Sequence, residues 1–208
     1  MVITGLTRNQ LGSNPPRVRI PPSPPQSNRN FINVAVVLFL CYYQFGDCMK
    51  NTDYDELYSK VYKEIGDLTP LKVDCGVLCS GACCKGDSNT GMILFPFEKT
   101  ELEIKITQNG ERLAICNGTC DRNKRPLACR IFPFFPTVDE RGKVYVELDY
   151  RAFCVCPMVE HYDEILFDKR FLNAVKKVGK ILVKDKIFKE FLKTTTEEID
   201  LYHSFYDK

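Results

Sequence analysis

A chain of 208 residues predicts one domain, with room for an appendage. It can bury a sizeable core without disulfides, so the small disulfide-stapled scaffolds are not required. The formal net charge of +2 argues against nucleic acid as a partner, and 14 Phe and 10 Tyr without a Trp select no reaction class.

Residues 1–48 differ in composition from the rest. They hold six of the twelve prolines and no lysine, and their four arginines face a single acid, Asp47. From Met49 onward, 25 basic residues face 26 acidic ones. The stretch from Thr7 to Pro22 resembles a bacterial transfer-RNA gene translated in error, and Met49 is the expected native start. Pro15 to Pro25 excludes a helix or central strand. Phe31 to Tyr43 is an apolar run after Arg29 and is the alternative reading, the core of a secretory signal. It falls short of the roughly 20 apolar residues that a membrane span needs. Leu40 before Cys41 is not the small residue of a cleavage site. The expectation is a cytoplasmic protein with no membrane partner. Cys41 and Cys48 are left out of any site.

From Met49 the chain reads as elements. Leu57, Val61, Tyr62 and Ile65 recur at helical spacing and predict a helix over 53–67, ended by Thr69-Pro70. Glycines at 76, 81, 86 and 91 predict a loop that can wrap a bound ion. Short strands are expected over 92–97 and 111–116, with a helical turn over 98–103 and a turn at Asn109-Gly110. Alternation in Val144 to Tyr150 predicts the best strand. Ile165, Phe167, Phe171, Leu172, Val175, Val178 and Leu182 predict a helix over 163–184 with a core-facing stripe. A last helix is expected to open at Thr194 or Thr195, with Leu201, Tyr202 and Phe205 inward. The fold class is therefore α+β: a small irregular cysteine-rich domain over 49–208, with a short antiparallel sheet and flanking helices.

Nine of the eleven cysteines fall between Cys75 and Cys156 in three knots: Cys75-x3-Cys79-x3-Cys83-Cys84, Cys116-x3-Cys120-x8-Cys129, and Cys154-x-Cys156-Pro157. Short-spaced thiols suit a metal ion or an iron–sulfur cluster, since several sulfurs must converge within roughly 2.3 Å of one metal. An odd cysteine count forbids complete internal pairing, which argues against a disulfide framework. Lys85, Arg122, Lys124, Arg125 and Arg130 lie beside knot cysteines and would favour thiolates. The alternative reading is ordinary surface charge. The spacing is neither the ferredoxin run nor a pair of zinc-ribbon C-x2-C motifs. His161 and His203 read as surface or packing residues. Vicinal Cys83 and Cys84 are expected to divide their roles, one ligating and the other packing, or to serve two metals.

Several strings together carry a resemblance. They are Asp74-Cys75-x3-Cys79-x3-Cys83-Cys84, Gly91-Met92-Ile93-Leu94-Phe95-Pro96, Arg125-Pro126-x2-Cys129-Arg130-Ile131-Phe132-Pro133 after Cys120, and Cys156-Pro157. The chain resembles the CxxCxxCC zinc- or iron-chelating family, the YkgJ-type cysteine-cluster proteins, over roughly Val73 to Met158. It carries one extra residue in each of the first two gaps. The resemblance implies ligands from Cys75, Cys79, Cys83, Cys84, Cys120, Cys129 and Cys156, with Cys116 and Cys154 as substitutes. It implies that Arg125 and Arg130 balance the negative charge of a bound cluster, and that Pro126 and Pro133 stiffen the loop presenting Cys129. The cofactor is expected to be an iron–sulfur cluster, of the 4Fe-4S type, or zinc, and the protein partner is unknown. Two other functions remain open. One is a cluster-containing enzyme distantly similar to flagellin lysine N-methylase. The other is an exported disulfide-bonded protein.

Overall fold

The computed structural model describes residues 51–86, 91–118, 121–153 and 155–206. The expectations for residues 1–48, and for Cys120 and Cys154, lie outside the described residues. Helix α1 (Asn51–Ile65) follows its sequence pattern. Tyr54, Tyr58, Val61 and Ile65 are buried along one face. That face packs on α5 (Lys169–Leu182), where Phe171, Val175, Val178 and Leu182 are fully buried. Helix α5 begins six residues later than the apolar stripe suggests. The Asp168 carboxylate accepts from Arg170 N at 2.9 Å, and the Asp168 amide donates to Pro70 O at 2.8 Å. This cap fixes the start. Ile165 and Phe167 reach the core from the extended segment ahead of it, with Phe167 edge-on to Phe134 at 4.8 Å.

Helix α6 (Lys186–Tyr206) is one continuous helix rather than one opening at Thr194 or Thr195. The Asp185 carboxylate accepts from Ile187 N and Phe188 N and caps it. Thr195 is buried in its middle, and Thr196 Oγ1 donates to Leu192 O at 2.7 Å while accepting from Val138 N at 3.1 Å. Thr194 and Thr195 thus lie inside the helix, and their neighbour Thr196 bonds back along it and across to another segment. Leu201 and Phe205 are exposed, against expectation, and Tyr202 is half-buried.

Strands β1 (Met92–Ile93), β2 (Glu103–Ile106) and β3 (Arg112–Ile115) form an antiparallel sheet in the order β1-β3-β2. Glu103 pairs with Ile115 and Met92 with Ala114. The expected helical turn over 98–103 is absent, and the chain extends into β2 instead. Gly110, at φ 81°, makes the β2–β3 turn. Gly91 lets β1 lie against β3, because a Cβ there would fall 2.4 Å from Ala114 O.

A second pair joins β4 (Phe134–Phe135) to β5 (Glu147–Leu148), extended by a bridge between Val138 and Val144. The strand expected over 144–150 is thus interrupted and stops early. The Asp149 carboxylate accepts from Arg151 N and starts a 3-10 turn (Tyr150–Ala152). The result is a small α+β domain whose apolar core lies between α1, α5, α6 and the β4–β5 pair. Among the described residues, no helix is long and apolar enough to cross a membrane.

Gly179 of α5 shows how closely these layers approach. A Cβ there would lie 2.6 Å from Pro136 Cβ and 2.7 Å from Val144 Cγ1. Gly179→Ala is expected to cost about 3 kcal/mol of overpacking, less about 1 kcal/mol of helix propensity, for a net loss of about 2 kcal/mol. The urea midpoint should fall with an unchanged m-value. An unchanged or higher midpoint would show that the layers can part.

Candidate metal centre

The first knot is compact, though not the plain loop that its glycines suggest. Cys75 precedes a single helical turn, α2 (Gly76–Cys79), with Cys79 at its end. Ser80 (φ 52°) and Gly81 (φ 67°) are both left-handed, and they turn the chain back on itself. Cys83 and Cys84 then sit together in one 3-10 turn (Ala82–Cys84). Their sulfurs are 3.9 Å apart. That separation matches the edge of a tetrahedral thiolate site, about 3.8 Å for metal–sulfur bonds of about 2.3 Å. The knot docks on the end of β3. Lys85 bridges Asn117, and the Gly86 amide donates to Cys116 O at 2.8 Å. This docking brings the Cys116 thiol within hydrogen-bonding reach of Cys84.

The thiols influence one another electrostatically. The hydrogen bond from Cys83 holds the Cys84 thiol down to about 6, helped by the Arg125 guanidinium and Cys116. That same bond, together with burial and the thiols of Cys84, Cys79 and Cys75, pushes Cys83 up. Burial raises Cys75, with Asp74 and Cys79 adding and Arg122 opposing. Cys156 comes from the third knot and begins α4 (Pro157–Glu160). It is 4 % exposed, and burial, with lesser contributions from Cys79 and Cys75, pushes it up to about 11. Cys75, Cys79, Cys83, Cys84 and Cys156 are all free thiols.

Cys129 lies on α3 (Leu127–Ile131), a five-residue helix with Pro126 at its N-cap. It is half-buried and lines a small cavity of about 40 Å³ shared with Cys75, Asp74, Arg122, Arg125 and Arg130. The arginines differ in use. Arg122 lies 3.9 Å from Asp74, and Arg125 faces Cys84. Arg130 donates to the carbonyls of Arg125 and Asn123 and lies 4.7 Å above the Tyr62 ring. Its guanidinium therefore braces the loop that carries it. Lys124 pairs with Glu101 at 2.8 Å, and Lys85 is exposed. His161 is exposed just past α4, and the His203 ring packs on Tyr150 at 4.2 Å. Among the described residues, no three His, Cys, Asp or Glu side chains meet closely enough to hold a metal ion.

One residue of this neighbourhood carried no sequence signal. Glu98 is 1 % exposed. Its Oε1 accepts from Tyr62 Oη at 2.6 Å and from the Leu127 amide, and its Oε2 accepts from the Phe95 amide at 3.2 Å. Burial pushes its carboxyl above the ordinary value of 4.5, while these donors and Arg112 pull it down. The folded chain therefore holds this proton more tightly than the unfolded chain does. The contribution of Glu98 to stability is most favourable below the ordinary carboxyl range, and it declines as pH rises towards the folded pKa. In metal-free protein, the stability difference between wild type and Glu98→Gln should shift against wild type as pH rises from about 4 to about 8. Urea titrations across that range check it, and a pH-independent difference would contradict it.

No family model, no curated protein and no solved structure matches this chain.

Proposed function

We propose that this is a metal-binding protein that holds an iron–sulfur cluster or zinc through cysteine thiolates, in the manner of YkgJ-type cysteine-cluster proteins. Cys75, Cys79, Cys83, Cys84, Cys129 and Cys156 would be the ligand pool, with Cys120 from the second knot. The observation that carries the proposal is the geometry of the first knot: the Cys83 and Cys84 sulfurs lie 3.9 Å apart, and the Gly86 amide ties this turn to Cys116 of the second knot. Two sulfurs at that separation are consistent with one thiophilic metal that both could touch.

When bound, a cluster would supply electron transfer or an electrophilic iron, and zinc would supply a structural tie. The chain's own groups have separable tasks. Ser80 and Gly81 fold Cys83 and Cys84 back beside Cys79. Arg125 stabilises the Cys84 thiolate, and Arg122 opposes the acidic influence of Asp74 on Cys75. We place the protein in the cytoplasm, where thiols stay reduced and available to a metal.

Anaerobic purification of the full chain, with metal analysis and a visible spectrum on one sample, tests the reading. Brown protein with stoichiometric iron and sulfide is the expected result for a cluster, and colourless protein with stoichiometric zinc for a structural site. Protein that carries neither, and takes up neither on reconstitution, would end the proposal.

A further inference from the structure

We infer that Glu98 is a positioning residue for the metal site, holding the Cys129 helix in place through its carboxylate. This rests on the reading of Cys129 as a ligand. Helix α3 has five residues, too few to be stable alone. Its N-cap is Pro126, which offers no side-chain acceptor to the first helical amides. Glu98 supplies that acceptor from a different part of the chain, by taking the Leu127 amide on Oε1. The same oxygen takes Tyr62 Oη, so α1 is tied to α3 through one carboxylate. Oε2 takes Phe95 N and fixes Glu98 to the end of the Gly91–Pro96 segment. Arg130, one residue past Cys129, closes the brace from the other side by lying over the Tyr62 ring and donating to Asn123 O and Arg125 O.

Polar contacts from this short helix to distant segments thus run through Glu98, Tyr62 and Arg130. Cys129 sits between the two ends of the brace, two residues after Leu127 and one before Arg130. Removing the carboxylate leaves the Leu127 amide buried without its acceptor and frees the first turn to fray. The Cys129 thiol would then lose its fixed direction towards the cavity that it shares with Cys75. Removing a group that orients a metal ligand without touching the metal characteristically weakens metal affinity.

The test uses the full chain and two readouts. Zinc affinity is measured by competition with a chromophoric chelator. Alkylation of each cysteine is measured in metal-free protein by mass mapping. Glu98→Ala is expected to weaken zinc binding about 10–100-fold. It should also speed alkylation of Cys129 about tenfold, as the bare Leu127 amide favours opening of the helix. Cys156 alkylation should stay at the wild-type rate. Glu98→Gln retains an oxygen for Tyr62 and Leu127 and should restore most of both. Gly179→Ala, which loosens the fold elsewhere, should change neither ratio. Where Glu98→Ala fails to fold, Tyr62→Phe removes a single hydroxyl from the brace and should speed Cys129 selectively by a smaller factor. Equal acceleration of Cys129 and Cys156, the same acceleration in Gly179→Ala, or an unchanged Cys129 rate would each overturn the inference. Wild-type protein that binds neither zinc nor iron would instead end the metal-binding reading, and the alkylation rates would still decide whether Glu98 holds Cys129.

Discussion

Cys129→Ser is expected to lower bound metal and thermal stability together. The serine oxygen is a poor ligand for a soft metal, and one lost thiolate opens the coordination shell. A metal that binds only the folded chain stabilises it by mass action, about 4 kcal/mol at a thousandfold excess over its dissociation constant. For a chain of this size that corresponds to roughly 10 °C in the unfolding midpoint. The half-buried Cys129 side chain fills little core, so its substitution in metal-free protein should shift the midpoint by much less. Calorimetry of wild type and variant, each with and without a strong chelator, separates the two effects. The chelator should bring wild type down to the level of the variant and leave the variant almost unmoved. Full metal content in Cys129→Ser would remove Cys129 from the ligand set. An unchanged wild-type midpoint under chelation would show that the metal contributes nothing to folding.

Arg151→Ala is expected to destabilise the fold strongly, away from the thiols. The Arg151 guanidinium grips Asp149 with Nε and Nη2, both at 2.8 Å, and reaches Glu198 on α6 with Nη1 at 3.1 Å. It also lies 5.7 Å above the Phe135 ring. Asp149 is 8 % exposed, so removing the arginine leaves a buried carboxylate without its cation. Breaking such a pair costs about 3 kcal/mol, or roughly 6–12 °C in the midpoint for a chain of this length. Arg151→Lys keeps the charge but cannot form the paired bond, so it should recover only part of the loss. Thermal unfolding of the two variants decides it. A shift below about 0.5 kcal/mol in Arg151→Ala would mean that water satisfies Asp149 and Glu198 unaided.

The residues differ in how much they disclosed as sequence. Helices α1 and α5 were legible because Val61, Ile65, Phe171, Val175, Val178 and Leu182 are core residues spaced by the helix itself. The cysteine knots stand out in the sequence by spacing alone, and the first folds as two short helical turns joined by Ser80 and Gly81. Boundaries set by a single side chain were not legible. Asp168, Asp185 and Asp149 each decide where an element starts or stops, through a bond that periodicity does not record. The continuity of α6 through Thr195 and Thr196 was hidden for the same reason, since a threonine caps or back-bonds according to what lies beside it. Glu98 was the least legible. Its sequence context suggests only the start of a helical turn over 98–103, and it is the approach of α1 and α3 that makes it an acceptor for both.

The packing of α1 on α5 bears on the order in which the protein is made. The ribosome completes every thiol of the three knots, through Cys156, before it reaches Lys169, where the helix that covers α1 begins. At about 5–20 residues per second, the 26 residues from Cys156 to Leu182 take roughly 1–5 s to add. During that interval Val61 and Ile65 still lack their partner helix. The α1 face therefore stays uncovered until the last quarter of the chain is being made.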